Sequence, residues 1–143
     1  MATILCIDDD PRILDLYKIV LGTKGYTILT APDGLTGIAM ARLHSPDVLV
    51  LDFSMPGMDG NQVAQVLVKE LPNLPVVVCS GFPEDIPASL KWFADSIIDK
   101  GCDPELLLLT IEKLIEAATA KKKPPARTTL DRQEWLRIRR EAL

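Results

Sequence analysis

Asp8, Asp9 and Asp10 stand in a row where one apolar run ends, and Asp52, Ser80 and Lys100 each close a later run. Carboxylates gathered at one edge repel one another and hold on to protons unless a cation sits among them. One lysine is too little counter-charge for the cluster, which points to a hard divalent ion bound by oxygen, Mg²⁺ before the others. Mg²⁺ takes one or two carboxylates and fills its shell with water and phosphate oxygens. The inventory therefore suits phosphoryl transfer, with a carboxylate as nucleophile and an aspartyl phosphate as product. Such a transfer needs its equatorial oxygens neutralised: one by the cation, one by a lysine ammonium, one by a hydroxyl or backbone N–H. Asp52 is the best nucleophile candidate, because it ends the middle run and loop residues follow it closely. Taken singly, each residue has a plain structural use: Asp10 caps a helix, Ser80 begins a loop, Lys100 is a solvated lysine.

Chemistry of this kind depends on elements that bring distant residues to one place. Five strand-length apolar runs recur, at Thr3–Ile7, Tyr26–Ala31, Asp47–Phe53, Val76–Ser80 and Asp95–Lys100. Their apolarity is continuous rather than alternating, as in parallel strands covered on both faces. Helix-like segments lie between them, at Pro11–Thr23, Leu35–Ser45, Asn61–Leu71, about Glu84–Phe93, and Pro104–Ala120. Asp10 before Pro11 and Asp103 before Pro104 read as N-caps followed by proline in the first turn. The alternation predicts an α/β fold: a doubly wound, five-stranded parallel (βα)₅ sheet with helices on both faces. In such sheets the reacting groups collect outside the carboxyl ends of the strands. The residues singled out above occupy those ends.

The segments ILCIDDDP, LDFSMPGMDG, VVVCSG and IIDK together resemble the receiver domain of two-component response regulators, over about residues 1–120. The resemblance implies a flavodoxin-like sheet with strand order 2-1-3-4-5. It implies Asp52 as phosphoacceptor, and Mg²⁺ held by Asp8, Asp9, Asp52 and the backbone carbonyl of Ser54. Ser80 takes the place of the switch hydroxyl and Lys100 that of the phosphate-binding lysine. The implied partner is a sensor histidine kinase or a histidine phosphotransfer protein, with a downstream effector that the sequence does not name. On this reading the chain is a phosphoacceptor and not an enzyme in its own right. Three departures from the family pattern bear on the readout. Ile97 stands where an aromatic switch residue is usual, and Gly101 follows Lys100 where proline is usual. The Ser80–Lys100 segment is about two residues short, and Pro87 interrupts the fourth helix. Phe82 is the aromatic nearest the switch hydroxyl.

Charge divides the chain in the same place as the resemblance does. Residues 1–118 hold 17 acidic and 8 basic side chains, and residues 119–143 hold 3 and 8, within a formal net charge of −4. An acidic body thus precedes a basic segment, residues 121–143, read as a stiff linker through Lys121–Lys123, Pro124 and Pro125 and then a short helix over Leu130–Leu143. Thr128 and Asp131 there suit a capping box. Arg132, Arg137, Arg139 and Arg140 could meet phosphates, but without a second recognition helix the sequence points away from DNA binding. The last helix of the body carries more apolar residues than one buried stripe needs, which leaves some for self-association into a homodimer or for a partner. No stretch is long and apolar enough for a membrane span, and the N-terminus lacks a signal peptide's features, so a cytoplasmic protein is expected. Three cysteines without a CxxC and a single histidine, His44, disfavour a disulfide framework or a zinc site. Cys6 and Cys79 read as packing residues within strands, Cys102 as a loop residue, His44 as the end of a helix, and Trp92 with Phe93 as the cover between the fourth helix and the sheet. Two rival functions remain: an interaction module indifferent to phosphorylation, and a Mg²⁺-dependent phosphatase with an aspartyl nucleophile. The second lacks an acid two residues after Asp52, where Ser54 stands.

Overall fold

A computed structural model describes residues 2–101 and 103–120 of the 143-residue chain. Five strands, β1 (Thr3–Ile7), β2 (Thr27–Ala31), β3 (Val48–Asp52), β4 (Val76–Ser80) and β5 (Ser96–Asp99), alternate with five helices. The helices are α1 (Pro11–Gly22), α2 (Gly34–His44), α3 (Gly60–Glu70), α4 (Ala88–Phe93) and α5 (Pro104–Ala120). All strand pairs are parallel, and the order is β2-β1-β3-β4-β5. The expected architecture and order are both present.

The sheet separates two apolar layers, and its residues alternate between them as a pleated strand requires. Leu5, Ile7, Leu49, Leu51, Val76 and Val78 face one side, where Ile38 and Ala41 of α2, Val63, Ala64 and Leu67 of α3, and Leu90 of α4 pack on them. Ile4, Cys6, Val48, Val50, Val77 and Cys79 face the other, against Leu14, Tyr17 and Leu21 of α1 and Leu107, Leu108 and Ile111 of α5. Central β3 and β4 are buried along their whole length, while the edge strands β2 and β5 are only partly covered. That is why VLVLD and VVVCS read as unbroken apolar runs.

Side-chain caps start α1, α2, α3 and α5 where the loops hand over. The Asp10 carboxylate accepts from Arg12 N–H, Asp33 from Thr36 N–H, and Asp103 from Glu105 N–H. At α3 the cap is reciprocal: Asp59 accepts from Gln62 N–H while the Gln62 side chain accepts from Asp59 N–H. His44 closes α2, and Arg42 near it forks onto Glu70 at the end of α3, holding the two helices together at the surface.

The fourth helix is interrupted at Pro87, as expected, and is shorter than the expected Glu84–Phe93 span. The span from Glu84 to Phe93 is divided into a 3₁₀ turn, Pro83–Asp85, and the short α4. Pro87 has no N–H to donate and pushes the residue before it out of the helical region. Ile86 is accordingly extended, with φ −69° and ψ 126°, and its side chain is buried in the core. Trp92 also differs: Leu90 and Phe93, three apart, face the sheet, whereas Trp92 lies off that face and is 61% exposed. Cys102 and residues 121–143, with the linker, the capping box and the Leu130–Leu143 helix expected there, lie outside the described residues.

Candidate functional site

Strand ends converge as the topology requires. β1 and β4 both pair with β3, so Asp8 leaves the sheet beside Asp52, and Ser80 lies one residue beyond Cys79, the β4 partner of Asp52. Ser80 in turn pairs with Asp99, and Lys100 N–H donates to the Ser80 carbonyl at 2.9 Å. The loop from β3 to α3 is drawn tight against the same edge. Gly60 N–H donates to the Phe53 carbonyl at 2.9 Å, and a Cβ on Gly60 would come within 2.7 Å of the Asp52 carbonyl oxygen. No side chain fits there, because the atoms in the way are backbone.

Asp8, Asp52 and Ser80 are the buried polar side chains of the described core. Lys100 Nζ lies 2.9 Å from Asp8 Oδ2 and 2.9 Å from Asp52 Oδ1, bridging two carboxylates that would otherwise repel. Its contact with Asp8 Oδ2 is an ion pair without hydrogen-bond alignment. Asp8 Oδ1 accepts from Asp10 N–H at 2.9 Å, and Asp52 Oδ1 also accepts from Ser54 N–H at 3.3 Å. Asp52 Oδ2 is buried with no hydrogen-bond partner. Exposed Asp9 completes the acidic group: one oxygen each from Asp8, Asp9 and Asp52 fall within 4.8 Å of one another.

These contacts set the charges. Burial pushes the Asp52 carboxyl up to about 6, the Lys100 hydrogen bond pulls it down, and the Asp8 charge pushes it up again. For Lys100, burial works against the charge, but its close contacts with the Asp52 and Asp8 carboxylates outweigh it and hold the ammonium above its ordinary pKa. One ammonium thus serves two buried carboxylates and leaves one anionic oxygen unsatisfied. A buried, unpaired carboxylate oxygen is costly, and a hard cation among the three aspartates would satisfy it. The donor set, all oxygen and partly open to water at Asp9, fits Mg²⁺.

The site thus brings Asp8, Asp9, Asp52 and Lys100 into contact and ties Ser54 to them through its N–H. Ser80 stands at the adjoining strand end, with its Oγ accepting from Phe82 N–H at 3.0 Å. Ile97, the residue in place of an aromatic, pairs with Val78 and packs partly buried against the core. The peptide bond before Gly101 is trans, as are the others among the described residues. Beneath the site, Tyr17 and Cys79 share a hydrogen bond, and burial pushes the Cys79 thiol up to about 11. Sequence reasoning quoted Gly60 within LDFSMPGMDG but gave it no role. Its signal was there in Asp59-Gly60-Asn61-Gln62, a capping box whose first helical residue is a glycine.

Comparison with known proteins converges on one group. The family model described as "Response regulator receiver domain" matches residues 4–112. The chain is 36% identical over 116 residues to the probable transcriptional regulatory protein TcrX of Mycobacterium tuberculosis, covering 80% of this chain and 50% of TcrX. It is 34% identical over 123 residues to PilH of Pseudomonas aeruginosa, covering 80% of this chain and 98% of PilH. The chain therefore spans about half of the first relative and nearly the whole of the second. Among solved structures, TrrA of Thermotoga maritima, in complex with Mg(2+)-BeF, superposes with a TM-score of 0.73 at 29% identity, over 80% of this chain and 99% of that one.

Proposed function

The chain belongs to the response regulator receiver family of two-component signalling, and from that premise we propose that Asp52 is its phosphoacceptor. The observation that carries the assignment is the buried Asp52 Oδ2, without a partner, on a carboxylate whose other oxygen is held by Lys100 and Ser54 N–H. Asp8, Asp9, Asp52 and the Ser54 carbonyl would hold Mg²⁺, which when bound neutralises charge on the transferring phosphoryl group. The remaining work falls to the chain itself. Lys100, kept protonated by its two carboxylates, supplies positive charge beside the acceptor. A carboxylate oxygen of Asp52 forms the new O–P bond as the donor's P–N bond breaks, and the leaving imidazole nitrogen keeps the electron pair. Burial of Asp52 keeps bulk water off the product.

Ser80 is the group placed to sense the product. Its hydroxyl accepts from Phe82 N–H in the structure, and a new phosphoryl anion at Asp52 would draw that hydroxyl toward itself. Turning it would release Phe82 and the loop after β4, favouring one of two arrangements of the α4 side. Ile97 offers no swinging ring to report the change, so the readout rests on this loop. The phosphoryl source is a sensor histidine kinase or histidine phosphotransfer protein, and the product is read by an effector protein.

Incubation with acetyl phosphate and Mg²⁺ tests the assignment. One acid-stable, hydroxylamine-labile phosphoryl group per chain is expected, absent when Mg²⁺ is chelated before the donor is added and absent in Asp52→Asn. Equal labelling of Asp52→Asn would remove the proposal. The rival aspartyl phosphatase would instead turn over a phosphate ester steadily, and the exposed Ser54 leaves that route without its second acid.

A further inference from the structure

Helices α1 and α5 lie side by side on one face of the sheet, and their outer surfaces carry large apolar side chains with no cover in the described structure. Leu16 and Ile19 on α1 are 38% and 69% exposed, and Leu109 on α5 is 53% exposed. On α5 the series Glu105, Leu109, Glu112 and Glu116 repeats at helical spacing and forms one stripe. That stripe is turned toward α1, because Glu112 Oε1 lies 3.6 Å from Lys24 Nζ just past the end of α1. Lys24 answers Glu112, and Arg12 of α1 is engaged by Asp10. Among the described residues no cation lies within ion-pair distance of Glu105 or Glu116. The outward surface of this helix pair, here called the seam, thus carries exposed apolar side chains on both helices, with Glu105 and Glu116 beside them on α5 and unpaired among the described residues.

We propose that this seam is the docking surface for the chain's own segment 121–143. Three features of the molecule single out that occupant. The segment is basic where the seam is acidic, with 8 basic against 3 acidic side chains over residues 119–143. It offers Trp135, Leu136 and Ile138 to leucine and isoleucine side chains otherwise left in water. It also follows directly on α5, whose described residues run to Ala120. Helix α5 is roughly 25 Å long at about 1.5 Å per residue. The segment, at up to about 3.3 Å per residue when extended, has ample length to turn and run back beside it. Attachment to the same chain supplies an effective concentration of about millimolar order. Three apolar side chains and two acids are too few to hold a separate protein firmly, but they suffice for a tethered one. The docking is independent of Asp52 chemistry, since none of its residues belongs to the acidic site.

Methyl NMR on the full chain tests this. In the triple variant Trp135→Ala/Leu136→Ala/Ile138→Ala, the methyl signals of Leu16, Ile19 and Leu109 should shift, while those of buried Ile4 and Ile111 stay in place. Wild-type chain should show cross-peaks between the Trp135 indole and the Ile19 or Leu109 methyls. Those cross-peaks should be unchanged on tenfold dilution, and absent from a sample mixing methyl-labelled with indole-labelled chains. Glu105→Lys/Glu116→Lys should displace the same three methyl signals and remove the cross-peaks, and neither substitution touches the core. Unmoved methyls in the triple variant would overturn the proposal. So would cross-peaks in the mixed sample, which would mean pairing between copies, and so would cross-peaks that survive the charge reversal.

Discussion

Asp52 carries a conflict that the rest of the chain only partly relieves. Burial lifts its carboxyl to about 6, against an ordinary value of 3.8, because one shared ammonium does not replace the water it has lost. Between roughly pH 4 and 6 the folded chain therefore holds more protons at this group than the unfolded chain does. Stability must fall as pH rises through that window and level off above the folded value. With a chelator present, urea unfolding from pH 4 to 8 should show that fall, on the order of a few kcal/mol at this site. In Asp52→Asn it should flatten, with the variant more stable than wild type at pH 7.5. Saturating Mg²⁺ should shrink the difference, because a bound cation favours the ionised carboxylate. A parallel pH dependence in the variant would mean that Asp52 is not the source. Acidity at positions 8, 9 and 52 was legible from residue type and strand-end position. Which oxygen stood unpaired was not, since that depends on where Lys100 comes to rest.

Two glycines show how elements rather than single side chains frame the site. A Cβ at Gly60 would press on the Asp52 carbonyl oxygen and on Phe53 Cα, whereas a Cβ at Gly81 would meet open space. Gly60→Ala should thus cost roughly 1–3 kcal/mol, as over-packing does, and slow phosphorylation by shifting the start of α3. Gly81→Ala should stay within about 0.5 kcal/mol of wild type. Denaturant midpoints and acetyl phosphate labelling rates of the two variants provide the check, and equal effects would refute the packing argument. Pro87 acts at the same scale. Replaced by alanine, it should let helix run back from α4 toward Pro83, seen as slower amide exchange at residues 88 and 89, since the amides of Leu90 and Lys91 already donate to the Pro87 carbonyl. Unchanged exchange there would show that burial of Ile86, not the proline, divides the segment. The strands were the most legible part of the fold, because β3 and β4 must be apolar on both faces and so leave a continuous signal. The α4 region was read too long at its start, since Glu84 and Asp85 suit the first turn of a helix as well as the 3₁₀ turn they form. Trp92 was misplaced for a related reason: in so short a helix an apolar residue beside Phe93 need not share its face.

At the scale of the molecule the sheet is a barrier between two cores, and both described thiols lie inside one of them. Cys6 and Cys79 are buried, and burial holds both thiols well above their ordinary pKa. They should react with iodoacetamide at pH 8 only through opening of the whole domain. Labelling followed by mass spectrometry in increasing urea should place both at the global transition, and early modification of Cys79 would reveal a local opening near the site. The acid–base division of the chain was visible from composition alone, whereas the α1–α5 seam was not. It needed the structure to show that α1 and α5 lie side by side and that Glu112 of the Leu109 row meets Lys24.

The strand order has a consequence for the chain while it is being made. Asp8, Asp52 and Lys100 come from strands far apart in sequence, and they meet only after β5 has joined the sheet beside β4. A ribosome that has released Asp52 into solution has released a carboxylate with no ammonium beside it, because Lys100 is still to be synthesised. On the proposed assignment of Asp52, a nascent chain would lack the complete acceptor site until almost the entire domain had emerged, so that signalling competence would double as a certificate of completed folding.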